Sequence, residues 1–206
     1  MDDPGEHGLE ERDLAPSWLE QFEAWWRDVE AAGVPEPQAM VLGTVGADGQ
    51  PSARSVLLKG VDERGFEFFT NLQSRKGGEL AANPRASLVF PWYALRRQVT
   101  VAGTVTAVEQ QRADEYFASR AYGSKLGALV SRQSSVISSR EPLERERAEL
   151  ERRYPPGADV PRPAHWGGFR LVPSEVEFWQ GRRDRLHDRL RYRRSGERWV
   201  LERLSP

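Results

Sequence analysis

A mostly β fold with helical insertions (α+β), built on an antiparallel sheet, is the class this sequence predicts. Three observations predict it. Short apolar runs recur with turn residues between them, as in "AMVLGTV" before "GADG" and "SARSVLLKGV" before "DERG". The run "QVTVAGTVTAV" alternates with the period of two that a half-buried strand requires. Between the early strands there is too little chain for the helical crossovers of a parallel sheet.

Residues 1–14 read as a mobile N-terminal segment, followed by one domain over 15–206 with no internal repeat and no linker. "SWLEQFEAWWRDVEAAG" is the clearest helix. Ser17 and Glu20 form a capping box, Trp18, Phe22, Trp25, Trp26 and Val29 recur at helical spacing, and Gly33 ends it. After the first two strands comes "FEFFTN", and then "SRKGGELAANP", a short helix stopped at Asn83-Pro84. "RASLVFPW" and the alternating run follow as strands. The middle of the chain turns helical, with one pattern over "EQQRADEYFASRAYG" and a second, very polar one over "EPLERERAELERRY". "PPGADVPRP" is a loop. "WGGFRLVP", "EVEFWQG", "RLHDRLRYRR" and "RWVLERL" then bring strands back.

Composition narrows the function classes. A chain of 206 residues with 38% hydrophobic residues and seven Trp can bury a core. A formal net charge of −1 provides no global positive field, which argues against a nucleic-acid partner. Cysteine is absent and the three histidines (His7, His165, His187) are far apart, so no metal site is expected. The acidic N-terminus has no apolar core like that of a signal peptide, and no apolar run approaches a membrane span, so a cytoplasmic protein without a membrane partner is expected. Arginine is the default cation. Only Lys59, Lys76 and Lys125 are lysines.

Three constellations could carry chemistry. Arg54 and Lys59 lie on a strand, and Arg75 and Lys76 open a short helix with Ser74 at its N-cap, a combination suited to a phosphate dianion. Taken alone, the same residues also describe a solvated helix start. Tyr116 and Arg120 share a helix face, and Ser124 follows Gly123, where that helix is expected to end; together they could grip a second phosphate or form a surface patch. In "RDRLHDRLRYRR" (183–194) a strand reading turns Arg185, His187, Arg189 and Arg191 to one side, a wall for an anionic ligand in which Arg185, His187 and Arg189 are the part expected to matter, with Arg183, Arg191, Arg193 and Arg194 as solvated charge. A helical reading stacks Arg185 on Arg189 instead. Gln98 and Gln133 could offer carboxamides to the edge of a heterocycle.

In this order and spacing, "RSVLLKG", "FFTNLQSRKGGELAANPRASLVFPW", "RQVTVAGTV", "YFASRAYGSKLGALVSRQSS", "HWGGFRLVPSEVEFWQG" and "RLHDRLRY" resemble the pyridoxamine 5′-phosphate oxidase family over nearly the whole chain. The resemblance implies an FMN-binding split β-barrel, a homodimer with the flavin at the subunit interface. It assigns FMN contacts to Arg54, Ser55, Val56, Leu57, Leu58 and Lys59, to Phe69, Thr70, Arg75, Lys76 and Gln98, and to Gln133, Ser134, Trp179 and Arg189. The vitamin phosphate falls to Lys59, Tyr116, Arg120 and Ser124, while Arg185, Leu186 and His187 line the pyridine side of the pocket. Arg185 and His187 are the residues assigned to catalysis. The implied reaction oxidises pyridoxine or pyridoxamine 5′-phosphate to pyridoxal 5′-phosphate, with O2 as acceptor and H2O2 as product. A relative acting on a phenazine-type aromatic substrate, or a flavin-binding barrel without turnover, are the rival readings. Three departures from the family pattern stand out. The segment before Gly8 is the acidic "MDDPGEH" where the family is basic, Ala121 replaces a common proline, and Ser55 and Phe69 stand where bulkier or hydroxylated residues are frequent.

Overall fold

A computed structural model describes residues 8–206. The first helix, α1 (Trp18–Ala31), starts where expected: Ser17 accepts from the Glu20 N–H and Glu20 reaches back to the Ser17 N–H. Its apolar stripe of Trp18, Phe22, Trp25 and Val29 is buried against the sheet. Phe22 meets Phe66 and Phe90 with ring centroids 5.1 Å apart in each case, and Trp25 meets Phe178 edge-on at 5.1 Å.

The described strands are β1 (Ala39–Val45), β2 (Pro51–Leu57), β3 (Gly60–Asp62), β4 (Gly65–Asn71), β5 (Arg85–Trp92), β6 (Arg97–Ala107), β7 (Trp166–Gln180), β8 (Asp188–Ser195) and β9 (Arg198–Arg203). All pair antiparallel, in the order β2-β1-β5-β6-β7-β4-β3, with β8 on β7 and β9 on β8. The antiparallel, β-rich class with helical insertions is therefore as expected. The two strand runs read separately over 166–181 are one strand, β7. One edge of β7 follows β6; the other pairs first with β4 (166–171) and then with β8 (175–180). Between these two pairings the β6–β7 register shifts at Ala102-Gly103, where a Cβ on Gly103 would lie 2.1 Å from the Val172 carbonyl oxygen.

Several sequence expectations need correction. The run "SARSVLLKGV" is not one strand. It breaks at Leu58-Lys59, whose N–H groups go to the carbonyls of Gln38 (2.9 Å) and Glu67 (2.8 Å) and so draw the two ends of the sheet together. The helical pattern over 109–123 is two helices, α3 (Gln110–Ser119) and α4 (Tyr122–Val130), because Arg120 and Ala121 are extended, with ψ of 149° and 143°. Ser124 thus lies inside α4, and Gly123 does not end a helix. Residues 1–7 lie outside the described residues; from Gly8 on, the segment expected to be mobile is docked. Leu9 is buried in the core, its N–H donates to Asp188 (3.0 Å), and Glu11 pairs with Arg203.

Two further α-helices among the described residues are α2 (Arg75–Ala82) and α5 (Glu141–Arg153). Among the described residues no helix is long and apolar enough to cross a membrane.

Candidate functional site

A cleft of about 770 Å³ opens where β2, β4, the start of α2 and the α3–α4 junction converge. β2 has β1 as its only strand neighbour among the described residues, so its outer backbone edge faces this cleft. Residues 52–57 line it on both side-chain faces.

The first cationic cluster is at the N-terminus of α2. Ser74 caps the helix by accepting from the Gly77 N–H (3.4 Å). Only glycine fits at 77, since a Cβ there would stand 2.0 Å from the Leu72 carbonyl oxygen. Lys76 is buried, and its ammonium donates to Thr70 Oγ1 (3.0 Å), Ser74 Oγ (3.2 Å) and Gln133 Oε1 (2.7 Å). Burial, then repulsion from Arg54, lowers its pKa, and attraction to Glu79 opposes both. The backbone N–H of Arg75 donates to Ser134 Oγ (3.2 Å), and Ser134 holds a left-handed φ of 76° to receive it.

Beneath these cations lies a buried carboxylate that the sequence did not single out. Glu79 accepts from Thr44 Oγ1 (2.6 Å), Ser52 Oγ (2.7 Å), Arg54 Nη2 (3.0 Å) and Arg75 Nε (2.7 Å). Burial raises its pKa, but these four donors outweigh it and hold the carboxyl at about 2. Its only sequence signal was an acidic residue four positions after Arg75 on a short helix.

The second centre is at the α3–α4 junction. Tyr116 stacks on Phe69 at 4.3 Å between centroids, and Lys59 Nζ lies 5.8 Å from the Tyr116 ring. The Arg120 guanidinium sits over Trp166 (4.9 Å) and Phe117 (5.5 Å). Its Nη1 is shielded from solvent and has no hydrogen-bond partner among the described residues. Burial lowers the Arg120 pKa, opposed by the Tyr116 phenol. Ser124 is on the same wall. Trp166 lines the cleft too, and sequence reasoning missed it because "HWGGF" read simply as a strand start.

The cleft thus gathers Arg54, Ser55, Val56, Leu57, Lys59, Phe69, Thr70, Arg75, Lys76, Tyr116, Arg120, Ser124, Gln133 and Ser134. Leu58 does not line it; that side chain is buried in the core.

The remaining candidates form a second cluster. Gln98 on β6 is opposite Trp179 on β7, which is opposite Arg189 on β8. The His187 ring is 4.7 Å from that of Trp179, and its Nδ1 accepts the Arg182 N–H (3.0 Å). Neutral His187 therefore carries its proton on Nε2. The strand reading of "RLHDRLRYRR" holds only from Asp188. Asp184 and Arg185 adopt left-handed φ of 58° and 63°, so Arg185, Leu186 and His187 belong to a turn and do not share a strand face with Arg189. Leu186 is exposed (71%). Arg189 is held by both oxygens of Glu177 (2.7 and 3.0 Å). Arg191 is also no free surface charge, being paired with Glu175 and Glu202.

Comparison with known proteins is consistent with this geometry. The family model "Pyridoxamine 5'-phosphate oxidase" matches residues 27–153, and "Pyridoxine 5'-phosphate oxidase C-terminal dimerisation region" matches 166–206. The pyridoxine/pyridoxamine 5′-phosphate oxidase of Frankia alni is 57% identical over 202 residues, 96% of this chain and 84% of that protein. That of Burkholderia cenocepacia is 53% identical over 201 residues, 96% of this chain and 93% of its own length. Among solved structures, PhzG from Burkholderia lata, in complex with tetrahydrophenazine-1-carboxylic acid, is 34% identical with a TM-score of 0.90, covering 96% of this chain and 98% of that one. A pyridoxamine 5′-phosphate oxidase-related, FMN-binding protein from Nostoc punctiforme shares the fold at 18% identity and a TM-score of 0.73, over 94% of this chain and 99% of that one. By sequence over nearly its full length, and by a C-terminal region matching the family's dimerisation region, the chain belongs to the pyridoxamine 5′-phosphate oxidase family.

Proposed function

We propose that the protein is an FMN-dependent oxidase that converts pyridoxine or pyridoxamine 5′-phosphate to pyridoxal 5′-phosphate, reducing O2 to H2O2. The observation that carries this reading is the pair of anion-binding centres in one cleft, one at Arg54, Arg75 and Lys76 and one at Lys59, Tyr116, Arg120 and Ser124. A phosphorylated cofactor beside a phosphorylated substrate needs such a pair.

The donor set fits FMN. The first centre offers a phosphomonoester three cations and a capped helix N-terminus. The outer edge of β2 offers a flavin ring alternating backbone donors and acceptors. The buried, unpartnered Arg120 Nη1 marks where a second acceptor is wanted. FMN, when bound, supplies the hydride acceptor and the route of electrons to O2. The protein binds, orients and neutralises. Lys59 and Arg120 hold the substrate phosphate, and Tyr116 and Ser124 hydrogen-bond it, fixing the ring against the flavin.

Arg185, Leu186, His187, Gln98, Trp179 and Arg189 do not line this cleft. Their cluster falls in or next to the segment matching the dimerisation region, which supports a homodimer in which they complete the cleft of the other protomer. There Arg185 and His187 would face the substrate. With Nδ1 occupied, His187 presents Nε2–H as a donor, so its part is orientation, and it is not a base in its neutral form.

The likeness to PhzG favours a second reading, an oxidase of a polycyclic aromatic carboxylate, whose carboxylate would take the place of the phosphate at Arg120. One experiment separates the readings. The purified protein should be yellow, and adding pyridoxine 5′-phosphate should yield aldehyde and peroxide in equal amounts. A yellow protein inert to both phosphorylated vitamers favours the second reading. A colourless protein that takes up no FMN refutes both.

A further inference from the structure

We propose that Glu79 is the positioning residue of the cofactor-phosphate centre: it touches neither ligand directly but holds Arg54 and Arg75 in register to grip a phosphomonoester. The proposal rests on the flavin reading above and goes beyond it, since Glu79 is a carboxylate set beneath an anion site, where charge alone would count against it.

The geometry carries the argument. One oxygen, Oε1, accepts from Arg75 Nε at 2.7 Å; the other, Oε2, accepts from Arg54 Nη2 at 3.0 Å. The two guanidiniums come from different elements, Arg54 from β2 and Arg75 from the first turn of α2, and this side chain bridges them. The hydroxyls fix the direction of every hydrogen bond. Arg54 donates to Thr44 Oγ1 (2.5 Å) and to Ser52 Oγ, and each hydroxyl then donates onward to Glu79. All four donors converge on one side chain that can only accept. The charges also balance in a useful way. Arg54, Arg75 and Lys76 together exceed Glu79 by two positive charges, which matches a phosphate dianion.

Glu79→Gln is nearly isosteric and tests this directly. A carboxamide has one accepting oxygen. If its nitrogen takes the Oε1 place, Arg75 loses its acceptor; if it takes the Oε2 place, Arg54 does. The measurement is binding of FMN and of riboflavin, which lacks the phosphate, to apoprotein by flavin fluorescence quenching. The expected result is FMN binding weakened by about 10- to 100-fold, with riboflavin binding unchanged. Glu79→Asp keeps the charge but shortens the reach, and its preference for FMN over riboflavin should fall as well.

Three results with the variants overturn the proposal. FMN bound by Glu79→Gln as tightly as, or more tightly than, by wild type would make Glu79 a like charge only. Parallel weakening of both flavins would make its role structural. A wild-type preference in Glu79→Asp would make charge the requirement and position irrelevant. Wild-type protein that binds neither flavin refutes the cofactor reading, and the proposal with it, before any variant is compared.

Discussion

Arg120→Leu should separate stability from function. In the free protein, Arg120 Nη1 is shielded from water without a partner, a situation that costs about 1–3 kcal/mol for a polar group. Stacking over Trp166 and Phe117 returns about 0.5–2 kcal/mol. Leucine keeps apolar contact with both rings and removes the unpaired donor. On central values the variant should therefore gain just under about 1 kcal/mol, the ranges spanning about −1 to +2.5 kcal/mol, a change in Tm of roughly −4 to +10 °C at this chain length. Function should move the other way. Losing one charge-assisted contact to a phosphate removes about 1.5–3 kcal/mol, so KM for pyridoxine 5′-phosphate should rise about 10- to 150-fold. The assays are thermal melting of the FMN-loaded protein without substrate, and steady-state peroxide production over a range of substrate concentrations. A variant that melts well below wild type while keeping its KM would refute the reasoning, because Arg120 would then be a structural cation.

Further expectations follow from other contacts. Lys76→Met leaves Thr70, Ser74 and Gln133 facing a methyl group and removes a cation from the cofactor centre; the purified protein should carry little FMN, measured by absorbance after heat release, and normal flavin content would count against the assignment. Ala121→Pro should stabilise by about 0.5–1 kcal/mol in urea denaturation, since φ is already −57° and the preceding residue is extended, as proline requires; destabilisation would show that the break between α3 and α4 differs from that described. The Glu79 carboxyl is depressed from 4.5 to about 2 in the folded state, so its stabilising contribution is complete above about pH 5 and is lost as pH falls toward 2. The gap in urea midpoint between wild type and Glu79→Gln should therefore be constant at neutral pH and close between about pH 4.5 and 2. A gap unchanged at the acid end would contradict that shift.

Local signals were legible in the sequence. The Ser17–Glu20 capping box, the Trp/Phe stripe of α1 and the cap at Ser74 depend on neighbours within four positions, and each is found as read. The cations of the cleft were also readable, because residue type and helix position both point to anions. What escaped depends on partners distant in sequence. Glu79 gains its meaning from Thr44 and Ser52, on strands that nothing in its own helix announces. Trp166 matters because α3 brings Arg120 over it. The helix break at Arg120-Ala121 carries no glycine or proline, so periodicity ran straight through it, although the proline common in the family at 121 marked the place. The backbone at Arg185 was misread for a related reason: two successive left-handed residues at Asp184 and Arg185 replaced the strand that alternation predicted, and although aspartate tolerates that conformation, arginine does not advertise it.

Strand β7 has a consequence for heredity as well as for chemistry. It carries Trp166 of the cleft near one end and Trp179 of the second cluster near the other, thirteen residues on, a separation on the order of 40 Å along an extended strand. Trp179 does not line the cleft of its own chain that Trp166 lines. In a dimer whose clefts are completed across the interface, damage to either end is then not private to the chain that bears it. Lys76→Met and Arg185→Leu subunits, each inactive alone, should complement when co-expressed. In the mixed dimer one cleft collects both lesions and the other is built from two sound halves, so two defective copies would together make one working site.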